Sequence, residues 1–166
     1  MDLKDKVAYI TGGSKGIGYG VAQKLLSAGM RVAISGRTLE TVQRAAQKLG
    51  GEDRVMALAS DVTNHKDEMA AVRKVLDKWG QLDLVLANAG VGHFAAIDEL
   101  SESDWHQMMD TNLSGVFHTL KASVEALKRS KGYYITLASL AGTNFFPNGA
   151  GYNATKFGVV GFTQAA

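Results

Sequence analysis

The chain has no cysteine among its 166 residues. That excludes disulfides and thiolate metal sites. It has one proline, Pro147, so backbone punctuation falls mainly to its 19 glycines. Neither sign of charge is in excess. The formal net charge of +2 is too small for an electrostatic grip on nucleic acid or on an anionic membrane. No apolar run approaches the roughly 20 residues of a membrane span. The four histidines, His65, His93, His106 and His118, lack metal-site spacing. The opening residues, Met-Asp-Leu-Lys-Asp-Lys, mix charges and hold no apolar stretch like that of a secretion signal. These absences point to a soluble, cytoplasmic protein that has neither nucleic acid nor membrane as partner.

What is present reads as one α/β domain over residues 1–166. The apolar share, 46%, is ordinary for a globular chain. Short apolar runs at Val7–Thr11, Arg31–Ser35, Arg54–Ala59, Leu82–Ala87 and Tyr133–Ala138 read as strands. Helical patterns lie between them. One opens at Ile17, a second is capped by Thr38 and stopped at Gly50, and a third opens at Asn64 or Asp67 and stops at Gly80. A single long amphipathic helix is expected from Ser101–Asp104 to Arg129, with Trp105, Met108, Leu113, Val116, Phe117 and Leu120 in its stripe. A last helix starts near Tyr152. Strands alternating with helices mean βαβ units and a parallel sheet.

Four places carry chemistry. The first is Thr11-Gly12-Gly13-Ser14-Lys15-Gly16-Ile17-Gly18, between the first strand and the first helix. Glycines there permit a tight turn and close backbone approach, and the helix start offers free N–H groups to a pyrophosphate. An ordinary glycine-rich turn is the plain alternative. The second is Asp61-Val62, past strand three, at the sheet edge where ligands bind. Its carboxylate suits an adenine amino group as well as a turn or helix cap. The third is Asn88-Ala89-Gly90, after strand four, which suits a close cofactor approach or a plain turn. The fourth is Ser139 at the end of strand five, followed by Tyr152 and Lys156 four positions apart. On a helix that spacing puts phenol and ammonium on one face. A nearby cation can lower an acid's pKa by roughly 1–3 units, which suits a general acid or base. Equally, it is the spacing of an amphipathic contact on a solvated face. Asn112, inside the long helix among apolar neighbours, needs partners for its amide; a core Asn bonded to backbone answers that need.

Taken together, these segments resemble the short-chain dehydrogenase/reductase family. Thr11-Gly-x-x-x-Gly-x-Gly18 matches its cofactor motif, and Asp61-Val62 resembles its adenine-side motif. Asn88-Ala89-Gly90 matches its Asn-Ala-Gly motif, although Ala87 stands where the family often has another Asn. Asn112, Ser139, Tyr152 and Lys156 resemble its catalytic tetrad in order and approximate spacing. The resemblance implies a Rossmann-type doubly wound sheet in the order 3-2-1-4-5. It also implies NADP(H)- or NAD(H)-dependent transfer of a hydride between nicotinamide and a carbonyl or secondary alcohol, as in 3-oxoacyl-carrier reductases and carbonyl reductases. Tyr152 would be the general acid/base. Lys156 would tune Tyr152 and hold the nicotinamide ribose. Ser139 would fix the substrate oxygen, and Asn112 would hold a water for proton resupply. Phe145, Phe146 and His93 would line the substrate side. A silent dinucleotide-binding regulatory or scaffold protein, or an epimerase or dehydratase, is the alternative.

NADP(H) is the expected preference. An acid at the end of strand two would accept from a ribose 2′-hydroxyl and repel a 2′-phosphate. Here the chain reads Ser35-Gly36-Arg37-Thr38. Arg37 can fork onto the phosphate and Lys15 can reach it as a point charge, unless both are merely solvated surface cations. A homodimer or homotetramer is expected through the helices at 104–129 and 152–166, whose apolar positions exceed what one sheet contact needs. Family members are longer and carry further strands and a substrate-covering loop after the Tyr-x-x-x-Lys helix. The resemblance therefore implies that these residues are part of a longer polypeptide and that strand five is a sheet edge.

Overall fold

A computed structural model describes residues 3–166. Five parallel strands form one sheet: β1 (Val7–Ile10), β2 (Arg31–Gly36), β3 (Val55–Ala59), β4 (Leu84–Ala87) and β5 (Tyr133–Thr136). Their order is β3-β2-β1-β4-β5. In register, Tyr9 sits beside Ala33 on one side and Val85 on the other. The order reverses at β1 and β4, and the crevice at that point is where doubly wound sheets bind ligands.

The strands obey their alternation. Val7 and Tyr9 face one side, with Ala33, Val85 and the helices α3 (His65–Trp79) and α5 (Gly115–Ser130). Ala8 and Ile10 face the other, with Val32, Ile34 and the helices α1 (Gly16–Ser27) and α2 (Leu39–Leu49). All four β1 residues are fully buried, so the run is apolar on both faces as a central parallel strand requires. Burying each Val- or Ile-sized side chain stabilises by about 1.5–3 kcal/mol.

The helix ends follow local chemistry with one exception. Asn64 caps α3 by accepting from the Lys66 amide, and Gly80 closes it in the left-handed region. Thr38 precedes α2, yet its side chain makes no capping bond, a correction to the expected cap. Thr38 instead lines a cleft together with Arg37.

The expected long helix is not continuous. It is α4 (Glu102–Met108), a π-helical turn (Met109–Ser114), then α5. The wide turn inserts one residue and rotates the helix beyond it. Consequently the buried face of α5 is Val116, Thr119, Ser123, Ala126 and Leu127, while Phe117 is left exposed. Buried Thr119 and Ser123 satisfy their hydroxyls on the carbonyls of Gly115 and Thr119, at 2.8 and 2.7 Å. A heptad-like reading cannot anticipate such an inserted residue.

Glu68 is an acid at zero exposure on α3. Its Oε1 accepts from Ser60 Oγ at 2.6 Å and from the Tyr9 hydroxyl at 2.9 Å. The Tyr9 oxygen also lies 3.0 Å from Ser35 Oγ. Burial, and then the Glu68 charge, hold the Tyr9 phenol well above its ordinary pKa. This network ties β1, the end of β2, the end of β3 and α3 together directly beneath the crevice. β5 is the edge strand, with Tyr133 and Ile135 exposed. A turn of 3₁₀ helix (Leu140–Gly142) and the helix α6 (Ala150–Ala165) follow it. Among the described residues, no helix is long and apolar enough to cross a membrane.

Candidate active site

Two clefts meet at the carboxyl ends of the strands. The larger, about 750 Å³, is lined by the glycine loop, Arg37, Asp61, Val62 and Asn88. The smaller, about 440 Å³, is lined by Ser139, Tyr152, Lys156 and Phe94 among others. They share Ile17, Asn88, Gly90 and Val91, so an extended ligand can occupy both.

The larger cleft is shaped by backbone. Gly12 and Gly16 adopt φ of +64° and +58°, values that side chains other than glycine's rarely tolerate. Lys15 precedes α1 without a side-chain cap. The first-turn N–H groups of α1 are therefore free to receive an anion. Gly18 lies against Asn88: a Cβ there would meet Asn88 Nδ2 at 2.6 Å and the Gly12 oxygen at 3.1 Å. Asn88 Nδ2 donates to the carbonyls of Thr11 and Gly12, at 2.8 and 3.2 Å. Thr11 Oγ1 accepts from the amides of Asn88 and Ala89, at 3.0 and 3.1 Å. The Asn-Ala-Gly segment is therefore a strap clamped to the glycine loop. These features fit a dinucleotide: an open helix N-terminus for the pyrophosphate and flat glycine backbone beneath it.

At the far end, Asp61 and Val62 line the cleft. Asp61 Oδ1 accepts from Thr63 N and Oγ1, at 3.0 and 2.9 Å, so the turn reading of this carboxylate is realised. His118 Nδ1 lies 2.9 Å from the Val62 carbonyl, which requires the proton on that nitrogen. Arg37 and Lys15 are both exposed and both line the cleft. Neither forms an ion pair among the described residues.

The smaller cleft gathers the tetrad candidates. Ser139 ends the strand–loop segment, and its Oγ accepts from the Ala141 amide at 3.1 Å. Tyr152 is half-buried in the first turn of α6. Lys156 is 6% exposed. Its Nζ donates to the Leu137 carbonyl at 2.7 Å and lies 5.7 Å from the centroid of the Tyr152 ring. Phenol and ammonium therefore share a helix face, and the ammonium is anchored on backbone. Burial lowers the Lys156 pKa below its ordinary value. Asn112 lies in the π turn, with its amide engaged by Val91 and Thr155. Oδ1 accepts from Val91 N at 2.8 Å, and Nδ2 donates to Val91 O at 2.8 Å and Thr155 Oγ1 at 3.1 Å. It pins the strap after β4 to α6.

Three residues that pattern reading passed over also matter. Asn153 Nδ2 donates to the carbonyls of Ala141 and Asn144, both at 2.8 Å. It holds the Ser139 loop on α6; the signal was an amide next to Tyr152 in an otherwise small and apolar helix. Thr155 couples Asn112 to α6. Phe94, not His93, walls the smaller cleft, and its ring packs edge-on to Tyr152 at 5.4 Å. His93 turns away, toward Asp104 and Gln107, at 3.3 and 2.5 Å. Phe145 is 88% exposed and lies off the cleft wall, while Phe146 reaches the site only through Phe94, at 5.8 Å. Among the described residues, no group of three or more His, Asp or Glu is placed to hold a metal ion.

A parallel sheet with a glycine-lined crevice and an open helix N-terminus at its switch point defines a dinucleotide-binding protein of the Rossmann class. The short chain dehydrogenase family model matches residues 6–166, and the chain belongs to that family of oxidoreductases acting on CH–OH and C=O groups. It is 34% identical over 164 residues to an uncharacterized oxidoreductase of Staphylococcus epidermidis, covering 98% of this chain and 70% of that one. An alcohol dehydrogenase from the archaeon Thermococcus sibiricus, complexed with 5-hydroxy-NADP, superimposes with a TM-score of 0.93. That match has 35% identity and covers 98% of this chain and 70% of that one. The 3-ketoacyl-(acyl-carrier-protein) reductase of Brucella melitensis, complexed with NADH, gives a TM-score of 0.93 at 31% identity, covering 98% and 69%.

Proposed function

We propose that this chain binds NADP(H) across the two clefts and interconverts a carbonyl with a secondary alcohol, with Tyr152 as general acid/base. The observation that carries this is the junction of the clefts at Ile17, Asn88, Gly90 and Val91. It sets a dinucleotide cradle end to end with a pocket holding Ser139, Tyr152 and Lys156. A bound nicotinamide supplies or accepts the hydride. The protein's part is to bind, orient and move one proton.

In reduction, Tyr152 gives its phenolic proton to the carbonyl oxygen. Ser139 Oγ donates to that oxygen and fixes it, an electrostatic role. Lys156, held by Leu137 O and lying against the Tyr152 ring, presents a cation to the phenolate and to the nicotinamide ribose. Asn112 is a positioning residue: it holds the strap at Val91 and α6 at Thr155. The glycine loop and the start of α1 receive the pyrophosphate, and Asp61 and Val62 border the adenine.

Replacing Tyr152 with Phe tests the assignment. The ring keeps its packing on Phe94, and only the proton donor is lost. Carbonyl reduction should fall by about 10²–10⁴-fold, with NADPH affinity near normal by fluorescence titration. Activity within a few-fold of the parent would remove Tyr152 from the role.

The preference for NADP(H) rests on two cations, Lys15 and Arg37, that form no ion pair among the described residues and line the cleft where β2 supplies no acid. With both replaced by Ala, NADPH should lose at least about tenfold in affinity and NADH little, since phosphate contacts are charge-assisted. An unchanged NADPH/NADH ratio would overturn the preference.

A further inference from the structure

The reading above leaves the substrate open, and charge and shape around the smaller cleft narrow it. Much of its lining is apolar: Val91, Gly92, Phe94, Leu137 and Ala138 line it with Tyr152. Phe94 is 58% exposed. It packs edge-on to Tyr152, at 5.4 Å and 63°, and Phe146 backs it at 5.8 Å. A flat apolar surface thus stands immediately beside the phenol that carries the proton.

The chain segments that supply most of that surface are acidic or uncharged in sequence. From Gly132 to Thr155 the chain has no Asp, Glu, Lys, Arg or His. From Gly90 to Asp110 it has Asp98, Glu99, Glu102, Asp104 and Asp110, and no Lys or Arg. The segment after Phe94 crosses the Ser139 loop, where the Ala95 amide donates to the Asn148 carbonyl at 3.1 Å. Of these acids, Asp110 lines the adjoining larger cleft, and Asp104 lies 3.3 Å from His93, whose chain neighbours Gly92 and Phe94 line the smaller one. His93, the basic side chain next to Phe94, is engaged by Asp104 and Gln107. Lys156 is anchored on Leu137 O. Among the described residues Lys156 is the charged residue in the lining of the smaller cleft, so a carboxylate or phosphate on the substrate would find no unengaged cation there. Burying a charge without a partner is costly, whereas an aryl group against Phe94 gains both apolar burial and ring packing.

We infer that the substrate is an uncharged carbonyl compound bearing an aryl or similarly flat apolar group, seated on Phe94, and that anionic keto compounds are rejected. This rests on the hydride-transfer reading and deepens it.

The test uses the full chain with NADPH and two substrates that share one ketone and one phenyl ring. Ethyl benzoylformate is neutral; benzoylformate is its carboxylate. The ester should have kcat/KM at least about tenfold higher. Equal or better use of the acid would overturn the inference while leaving hydride transfer standing. Failure of both, with NADPH binding intact by fluorescence titration, would overturn the hydride-transfer reading itself and this inference with it. Ethyl pyruvate, with methyl in place of phenyl, should be worse than ethyl benzoylformate by a similar factor. Parity would remove the aryl preference. Phe94→Ala should raise KM for ethyl benzoylformate several-fold, with NADPH affinity unchanged and KM for ethyl pyruvate little moved. An unchanged KM for ethyl benzoylformate would remove Phe94 as the seat.

Discussion

The two ends of the ligand crevice are held in different ways. Over β1, β2 and β4, polar groups grip one another. Asn88 holds two carbonyls of the glycine loop, Thr11 holds two amides of the strap, and Glu68 receives Tyr9 and Ser60 below them. Over β5 and α6 polar tethers are set among open aromatic surface. Lys156 holds Leu137 O, Asn153 holds the Ser139 loop and Asn112 joins Val91 to Thr155, while around them Phe94, Phe145 and Phe157 stand exposed. A ligand with constant chemistry, such as pyrophosphate, rewards a cradle in which each backbone group is fixed. A substrate that differs between relatives is met instead by a few fixed reactive groups within an apolar surface whose side chains can change cheaply. Substitutions should therefore act unequally at the two ends.

The largest effect is expected at Gly18. In an exposed helix, Gly→Ala stabilises by about 1 kcal/mol through backbone entropy. Here the added Cβ would meet Asn88 Nδ2 at 2.6 Å and push the amide off Thr11 O and Gly12 O. Losing two bonds and leaving a partly buried donor unmatched costs about 2–4 kcal/mol, so the sign reverses. Gly18→Ala should lower Tm by about 4–10 °C in a chain of this size and weaken NADPH binding with it. A rise in Tm, measured by calorimetry, would show that the clamp is slack and that the contrast between the two ends is overstated.

The next effect is at Lys156, where burial lowers the pKa from its ordinary 10.5. Two consequences run in opposite directions. As pH rises through the lowered pKa the ammonium is lost, so reduction should decline at a pH below that expected for an exposed Lys. In the same window the unfolded chain still holds the proton that the folded chain has released. More protons on the unfolded state means stability rises with pH. Stability should therefore climb between the lowered pKa and 10.5 while activity falls. Lys156→Met should remove both slopes and cost roughly 10²-fold in kcat. Parallel pH profiles of kcat and of urea midpoint in both proteins decide it. An activity profile unaltered by the substitution would place the alkaline limb on another group.

The same contrast governed what could be read before the structure. The sheet order, the glycine loop, the strap at Asn88 and the positions of Ser139, Tyr152 and Lys156 follow from local signals: strand-length apolar runs, glycine spacing and a four-residue interval. The clamp between Gly18 and Asn88 was hidden because it joins residues 70 positions apart in the chain (88 − 18). The π turn was invisible because an inserted residue leaves composition unchanged; only the misplacement of Phe117 outside and Thr119 and Ser123 inside reveals it. Glu68 sits in a helix with acids at 67 and 68 and looks solvated; its burial follows from the fit of Tyr9 and Ser60 around it. His93 and Phe145 were picked over Phe94 because side-chain direction in a loop has no period to read.

The smallest effect on the folded chain is expected at the exposed rings, and it bears on assembly. Phe157 is 46% exposed on α6, and Phe117 is 43% exposed on α5. Paired helices from two copies would cover such rings, which is the arrangement expected for a homodimer or homotetramer. Half-burial of a Phe contributes on the order of 1 kcal/mol within one copy. Phe157→Ser should therefore lower the intrinsic stability only slightly, by about 1 kcal/mol or less, which is a Tm shift of roughly 2–4 °C. If copies pair through this face, mass action adds a second term: the parent's Tm should rise with protein concentration. The substitution should flatten that dependence and shift light scattering toward the monomer. A parent Tm independent of concentration, or a variant that keeps both the slope and the mass, would show that no partner copy covers this ring. The open end would then be open for the substrate alone.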